Sequence, residues 1–248
     1  MVMPVNLAYR AYQLLWEALD WLYPPSCGGC GAWGARWCLE CTQKTLEIMP
    51  PICPICGNPN SKNEECERCR ISPPLFTSLR SYSVFGGSIR EAIHKFKYKH
   101  EIGLGEALSR LMITKIEKLN WSLDLITSVP LGLVRFKERG YNQANLLARP
   151  IALFYKVPFS SQALSRVRET RTQVGLSVVE RNENMSGAFQ AKYGLVRGKN
   201  ILVVDDVATS GATLNACAKA LLENGASKVY GFSLARAVYS PHGEIDIS

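Results

Sequence analysis

No apolar run in these 248 residues reaches the roughly 18 uncharged positions that a membrane-spanning helix needs. The first apolar stretch is broken by Arg10, Glu17 and Asp20, which argues against a secretory signal peptide and predicts a cytoplasmic location. Cysteine is almost absent outside one window: eight of the nine lie between Cys27 and Cys69, and the ninth, Cys217, stands alone. That window has few aliphatic residues and so lacks the means to build a core of its own. Acidic residues are the minority, 21 against 29 Lys and Arg for a net charge of +8, which favours anionic partners such as phosphates or nucleic acid without naming one. The cations gather in three places: Lys95, Lys97, Lys99 and His100; Arg135, Lys137 and Arg139; Arg166, Arg168 and Arg171.

The cysteines form four CxxC pairs, Cys27/Cys30, Cys38/Cys41, Cys53/Cys56 and Cys66/Cys69. A CxxC turn aims two thiolates at one point, and two such turns complete the tetrahedral S4 set that structural zinc prefers. In a reducing compartment, paired cysteines read as metal ligands rather than disulfides. Sequential pairing gives two zinc ions in two short ribbons; a cross-braced pairing, first with third and second with fourth, is the alternative. Four thiolates leave no open position for catalysis, so both ions are structural. Metal binding then supplies most of the folding free energy, on the order of 10 kcal/mol per site. Chelation is therefore expected to unfold the ribbons while the rest of the chain stays folded.

Ahead of the ribbons, Leu7, Ala11, Leu14, Leu15, Ala18 and Leu22 share one helical face opposite Asn6, Arg10, Gln13, Glu17 and Asp20. A membrane-surface helix would carry Lys and Arg on its polar side. This one is mixed in sign, which favours docking of the leucine face onto the rest of the protein. Pro24 and Pro25 end the helix. The chain thus divides into an N-terminal amphipathic helix (1–24), a double zinc-ribbon domain (25–72) and a larger domain (76–240).

From Phe76 the pattern is α/β. Ser81–Phe85 reads as a strand, Ile89, Ile93 and Phe96 set one helix face, and Leu104, Leu108, Leu111 and Met112 another. Leu123–Val129 is a short apolar run that ends in a turn, Ser128-Val129-Pro130-Leu131-Gly132, and Arg135 and Arg139 follow it, with forked guanidinium groups suited to a pyrophosphate. The helix near Gln143–Tyr155 contains Pro150, which predicts a kink or an early stop. Phe159–Leu164 reads as a short strand, and Arg168–Gly187 as a long polar loop of the kind that is functional or disordered. Ile201–Val204 is apolar enough for a strand buried on both faces, and it runs into Asp205 and Asp206. The small-residue turn Thr209, Ser210, Gly211, Ala212 and Thr213 opens a helix that stops at Gly225. Such a turn cradles a phosphate, and two carboxylates one sugar length away accept hydrogen bonds from ribose hydroxyls. Ligands bind at the carboxyl ends of parallel strands in such folds.

The stretch VVDDVATSGATL resembles the signature of type I phosphoribosyltransferases that binds PRPP (5-phosphoribosyl 1-pyrophosphate). Together with the four CxxC pairs, FKYK (96–99), VPLGLVRFKERGYNQANLLA (129–148) and RTQVGLSVVERNENMSGAF (171–189), it resembles the ComF family of DNA-uptake proteins, also called the GntX family. The similarity covers roughly residues 20 to 235. It implies a type I phosphoribosyltransferase-like parallel sheet flanked by helices, preceded by a small Cys-rich zinc-ribbon domain. It also implies that Ser128–Gly132 is the pyrophosphate loop, Arg168–Gly187 a flexible loop, Asp205 and Asp206 the ribose-binding acids, and Thr209–Thr213 the 5-phosphate loop. Ala208 stands where a larger aliphatic is common.

The function implied is a role in uptake of transforming DNA with a PRPP site, Mg²⁺ accompanying PRPP, and single-stranded DNA and DNA-uptake proteins as further partners. Asp205, Asp206, Arg139 and Arg171 are the candidate catalytic residues. The alternative is an active phosphoribosyltransferase of nucleotide metabolism with no part in DNA handling. The sequence names no acceptor and offers no convincing general base. Because Ile89, Ile93 and Phe96 belong to the core face, Lys95, Lys97 and Lys99 are expected to project into solvent as part of a basic track with Tyr98 and Tyr141.

Overall fold

A computed structural model describes residues 6–169, 180 and 184–237. Its centre is a parallel sheet of four strands, β1 (Ser78–Val84), β2 (Leu125–Ser128), β5 (Asn200–Ala208) and β6 (Lys228–Arg236), in the order β1-β6-β5-β2. The central position of β5 explains its composition. Ile201 and Val203 enter one apolar cluster, while Leu202 and Val204 enter the other, so period-two alternation fills both faces. On one side lie helix α4 (Gly87–Tyr98), α5 (Leu104–Ile116) and α7 (Gln143–Tyr155), which contribute Phe96, Leu108 and Ile151. On the other lie α9 (Ala212–Glu223) and the antiparallel pair β3 (Leu164–Arg166) and β4 (Phe189–Ala191). Cys217 is buried there as part of the core. Short helices α2 (Leu39–Lys44), α3 (Glu67–Ile71), α6 (Leu133–Arg139) and α8 (Tyr193–Val196) and a 3-10 turn (Glu117–Leu119) lie among the connections.

Register brings the ends of β2 and β5 together. Ser128 pairs with Val204, and the next amide, Val129 N–H, donates to Val204 O at 2.9 Å. The turn after β2 therefore stands beside Asp205, although more than seventy residues separate them.

Several expectations need correction. The segment from Phe159 is not a strand in its own right: Phe159 makes one parallel bridge with Ile126, and the strand proper begins at Leu164. Nor does α7 stop at Pro150, which is buried within one continuous helix. Proline removes the donor for the Leu146 carbonyl. That carbonyl faces Gly105 of α5, where an added Cβ would lie 3.1 Å from Leu146 O. The glycine lets α5 come close where α7 lacks one backbone donor.

The N-terminal helix α1 (Leu7–Leu22) docks by the face opposite to the one expected. Tyr9 is its buried residue, with its ring edge-on to Phe154 at 5.2 Å. Asn6 Nδ2 donates to Leu153 O, Asp20 is ion-paired with Arg36, and the Arg36 guanidinium lies 4.4 Å from the Trp16 ring centre. Leu7, Leu14, Leu15 and Leu22 face outward, at 84%, 62%, 60% and 60% exposure. Tyr and Trp win the docking face because they combine large apolar area with edge contacts and cation–π partners that leucine lacks.

The ribbons are woven into the sheet rather than appended to it. Leu79 N–H donates to Ile55 O (2.8 Å), and the buried Arg236 side chain donates to Cys56 O (2.7 Å). Cys53, Cys56 and Cys69 share a buried cluster with Phe76 and Leu79. Phe76 and, from β1, Leu79 supply apolar residues that the second ribbon lacks. Among the described residues no helix is long and apolar enough to cross a membrane.

Candidate functional site

The cysteines converge as two sets, Cys27, Cys30, Cys38 and Cys41, and Cys53, Cys56, Cys66 and Cys69, with the sulfur atoms of each set within 4.8 Å of one another. Pairing is sequential. Cys38 N–H points at Cys27 Sγ and Cys66 N–H at Cys53 Sγ, each at 3.4 Å. Burial acts to raise these thiols, but the backbone N–H groups that face them prevail and hold Cys27 at about 6 and Cys53 at about 7. Converging sulfurs with amide donors that favour the thiolate fit two structural zinc ions.

At the carboxyl ends of β2 and β5 the second group of residues assembles. Asp206 is almost fully buried, is ion-paired with Lys97 of α4, and accepts from Gln143 Nε2 at 3.5 Å. Gln143 Oε1 in turn accepts from Arg139 Nη1 at 3.0 Å, and the Arg139 guanidinium lies 5.1 Å from the Tyr98 ring centre. Two helices, α4 and α7, thus reach one carboxylate directly, and α6 reaches it through Gln143. Asp205 Oδ1 accepts from Asp206 N–H at 2.9 Å. The two acids differ in proton affinity. Burial and the Asp206 charge push the Asp205 carboxyl well above the usual range. Burial also acts to raise Asp206, but the Lys97 ammonium outweighs it and holds that carboxyl low.

Beyond the acids, Gly211 takes the left-handed conformation (φ +82°) that turns Thr209 and Ser210 into α9. Ser210 Oγ accepts from Ala212 N–H at 3.3 Å, and Thr213 lies in the first turn of α9. The turn after β2 is held from behind: Asn142 caps α7 through Ala144 N–H and donates to Val129 O, while Ser128 Oγ bonds Asn145. Pro130 and Leu131 are partly buried and Gly132 leads into α6. Glu169 lies against this turn. Its carboxylate accepts from Leu133 N–H at 2.7 Å, and a Cβ on Gly132 would lie 2.5 Å from its Oε2.

Of the candidate residues, the structure therefore gathers Ser128 to Gly132, Arg139, Asp205, Asp206 and Thr209 to Thr213 at one end of the sheet. Arg135 is exposed on α6, and Arg171 lies outside the described residues. The lysines after the α4 core face do not all project outward: Lys95 Nζ donates to Cys27 O at 3.2 Å and Lys97 turns to Asp206, leaving Lys99 exposed. A four-carbon stem lets lysine reach a nearby carbonyl or carboxylate while its base stays at the helix surface. Asn142 stands in the sequence behind the Ser128–Gly132 turn with Arg135, Arg139 and Tyr141, whereas the one signal for Gln143 and Asn145 is the run of amides that opens α7. Arg168 donates to Asn184 O (2.8 Å) and Ser186 O (2.6 Å); most of the flexible loop expected over 168–187 lies outside the described residues.

A family model described as a double zinc ribbon domain matches residues 18–70, and one described as a phosphoribosyl transferase domain matches residues 112–246. The chain is 35% identical over 176 residues to the DNA utilization protein YhgH of Salmonella typhi, a match that spans 69% of this chain and 77% of that one. The chain belongs to the ComF family. Competence protein F of Haemophilus influenzae is 35% identical over 156 residues, 58% of this chain and 66% of the relative. Competence protein ComFC of Bacillus subtilis is 27% identical over 163 residues, 64% of each. In ComF terms, the ribbon match covers both four-cysteine sets and the phosphoribosyl transferase match covers both turns and both acids.

Proposed function

We propose that this ComF-family protein binds PRPP, or a closely related ribose 5-phosphate, together with Mg²⁺ at the carboxyl ends of β2 and β5, and that it acts in the cytoplasm in handling DNA taken up by the cell. The observation that supports the reading is the juxtaposition of the Gly211 turn, the acids and the Ser128–Gly132 turn at the carboxyl ends of β2 and β5. Thr209 to Thr213 take the 5-phosphate, Asp205 and Asp206 the ribose hydroxyls, and Ser128 to Gly132 with Arg135, Arg139 and Arg171 the pyrophosphate. Mg²⁺ supplies charge neutralisation of the pyrophosphate. The names of the relatives, a DNA utilization protein and competence proteins, support the DNA role.

Phosphoribosyl transfer is the second reading, and Asp205 favours it. A carboxyl raised above its ordinary range by burial and by the charge of a neighbouring acid is a group suited to proton transfer. Calorimetric titration with PRPP and Mg²⁺, set beside titration with single-stranded DNA, tests the first reading: binding of both supports it, and absence of PRPP binding removes the site from it. Release of pyrophosphate on addition of an acceptor decides for transfer.

A further inference from the structure

The outward face of α1 is apolar without interruption, and nothing among the described residues covers it. Two columns run along it, Leu7, Leu14 and Trp21 at a spacing of seven and Ala11 and Ala18 beside them, with Leu15 and Leu22 on the far border. Trp21 is 82% exposed. On one border stand Arg10 and Glu17, two turns apart, exposed and of opposite sign, with no ion-pair partner among the described residues. The docked aromatic face and the Asp20–Arg36 pair fix the helix to the body, so the stripe is presented rigidly.

We propose that α1 is a self-association face on which two copies of this chain pair antiparallel about a two-fold axis near Leu14. The positions of Leu7, Ala11, Ala18 and Trp21 are symmetric about that residue. Such an axis sets Leu7 against Trp21 of the second copy, Ala11 against its Ala18, and Leu14 against its Leu14. The same axis brings Arg10 beside Glu17 of the second copy, twice. A parallel pairing would not bring the two charges together. The contact is isologous, as two-fold interfaces are, and the alanines let the helix axes approach closely. A membrane surface fits less well, because the borders carry one cation and one anion rather than a basic flank. Since α1 spans only roughly 24 Å, the interface is small and the dimer is concentration-dependent.

Sedimentation velocity on the full zinc-loaded chain over a range of concentrations tests this. The parent is expected to shift from monomer to dimer, and Leu14→Glu to weaken association on the order of a hundredfold or more, since two leucines leave the interface. Arg10→Glu and Glu17→Arg should each weaken it roughly two- to thirtyfold, and the double charge swap should restore it. The swaps also keep the test valid if Leu14→Glu fails to fold. A parent that stays monomeric to its solubility limit overturns the proposal, as does a dimer indifferent to Leu14→Glu or a double swap that fails to restore pairing. Binding to phosphatidylglycerol–phosphatidylethanolamine vesicles in place of dimerisation would assign the face to membrane instead.

Discussion

The ammonium of Lys97, in the last turn of α4, is ion-paired with the Asp206 carboxylate at the end of β5. The contact joins two elements that meet only because β5 is central and α4 packs on its Asp206 side. It also makes two adjacent acids unlike: the Lys97 ammonium holds Asp206 low, while burial and the Asp206 charge raise Asp205.

That asymmetry predicts unequal mutants. Asp206→Asn strands a largely buried ammonium and should cost about 2–4 kcal/mol, whereas Asp205→Asn should leave the ligand-free fold as stable or more so. The pH dependence differs in sign. The folded-state pKa of Asp205 is raised, so its contribution is full in acid and is lost as pH rises through that value. Asp206, held low, contributes above the ordinary carboxylate range and loses its contribution as pH falls. Thermal melts of the parent and Asp205→Asn should therefore diverge in favour of the variant as pH rises. Equal melting points for the two Asn variants would show that Lys97 does not distinguish the acids.

Glu169 holds a carboxylate where the turn at Gly132 would receive an anion. Glu169→Gln is expected to tighten PRPP or pyrophosphate binding roughly two- to fivefold by removing a competing charge. Calorimetry on parent and variant checks it, and weaker binding by the variant would make Glu169 a ligand contact rather than a competitor.

Zinc content and folding are linked by Arg236 and Leu79, which hydrogen-bond the second ribbon to the sheet. Metal analysis should give two zinc ions per chain, and Cys56→Ser should keep one, since its partners are Cys53, Cys66 and Cys69. Chelation should lower the melting temperature of the whole chain in one transition. A sheet that melts unchanged after the metal is removed would restore the picture of separable ribbons.

For single-stranded DNA, the exposed cations beside the site are Lys99, Arg135 and Lys137. Replacing all three by Ala should flatten the salt dependence of binding by about 2 log–log units. Lys97→Ala should instead act on PRPP affinity through Asp206. Unchanged salt dependence in the triple variant would mean that these side chains do not meet phosphate.

Short-range features were legible in the sequence alone. The sequential zinc sets follow from CxxC spacing and short loops, although the cross-braced pairing stayed open until the sulfurs were placed. The strand at Ile201–Val204 and the turn at Gly211 follow from apolar content and from a backbone conformation that only glycine takes easily. These depend on neighbours a few residues away. Tertiary structure decided the rest. Amphipathicity told that α1 has two faces, but the partner surface around Phe154 and Arg36 chose the aromatic one. Lys97 and Lys95 looked like solvent-facing charges until sheet order brought Asp206 and Cys27 within reach of their stems. Local backbone chemistry sets turns, caps and metal knuckles. Which distant groups meet depends on strand order and helix packing, which no single segment encodes.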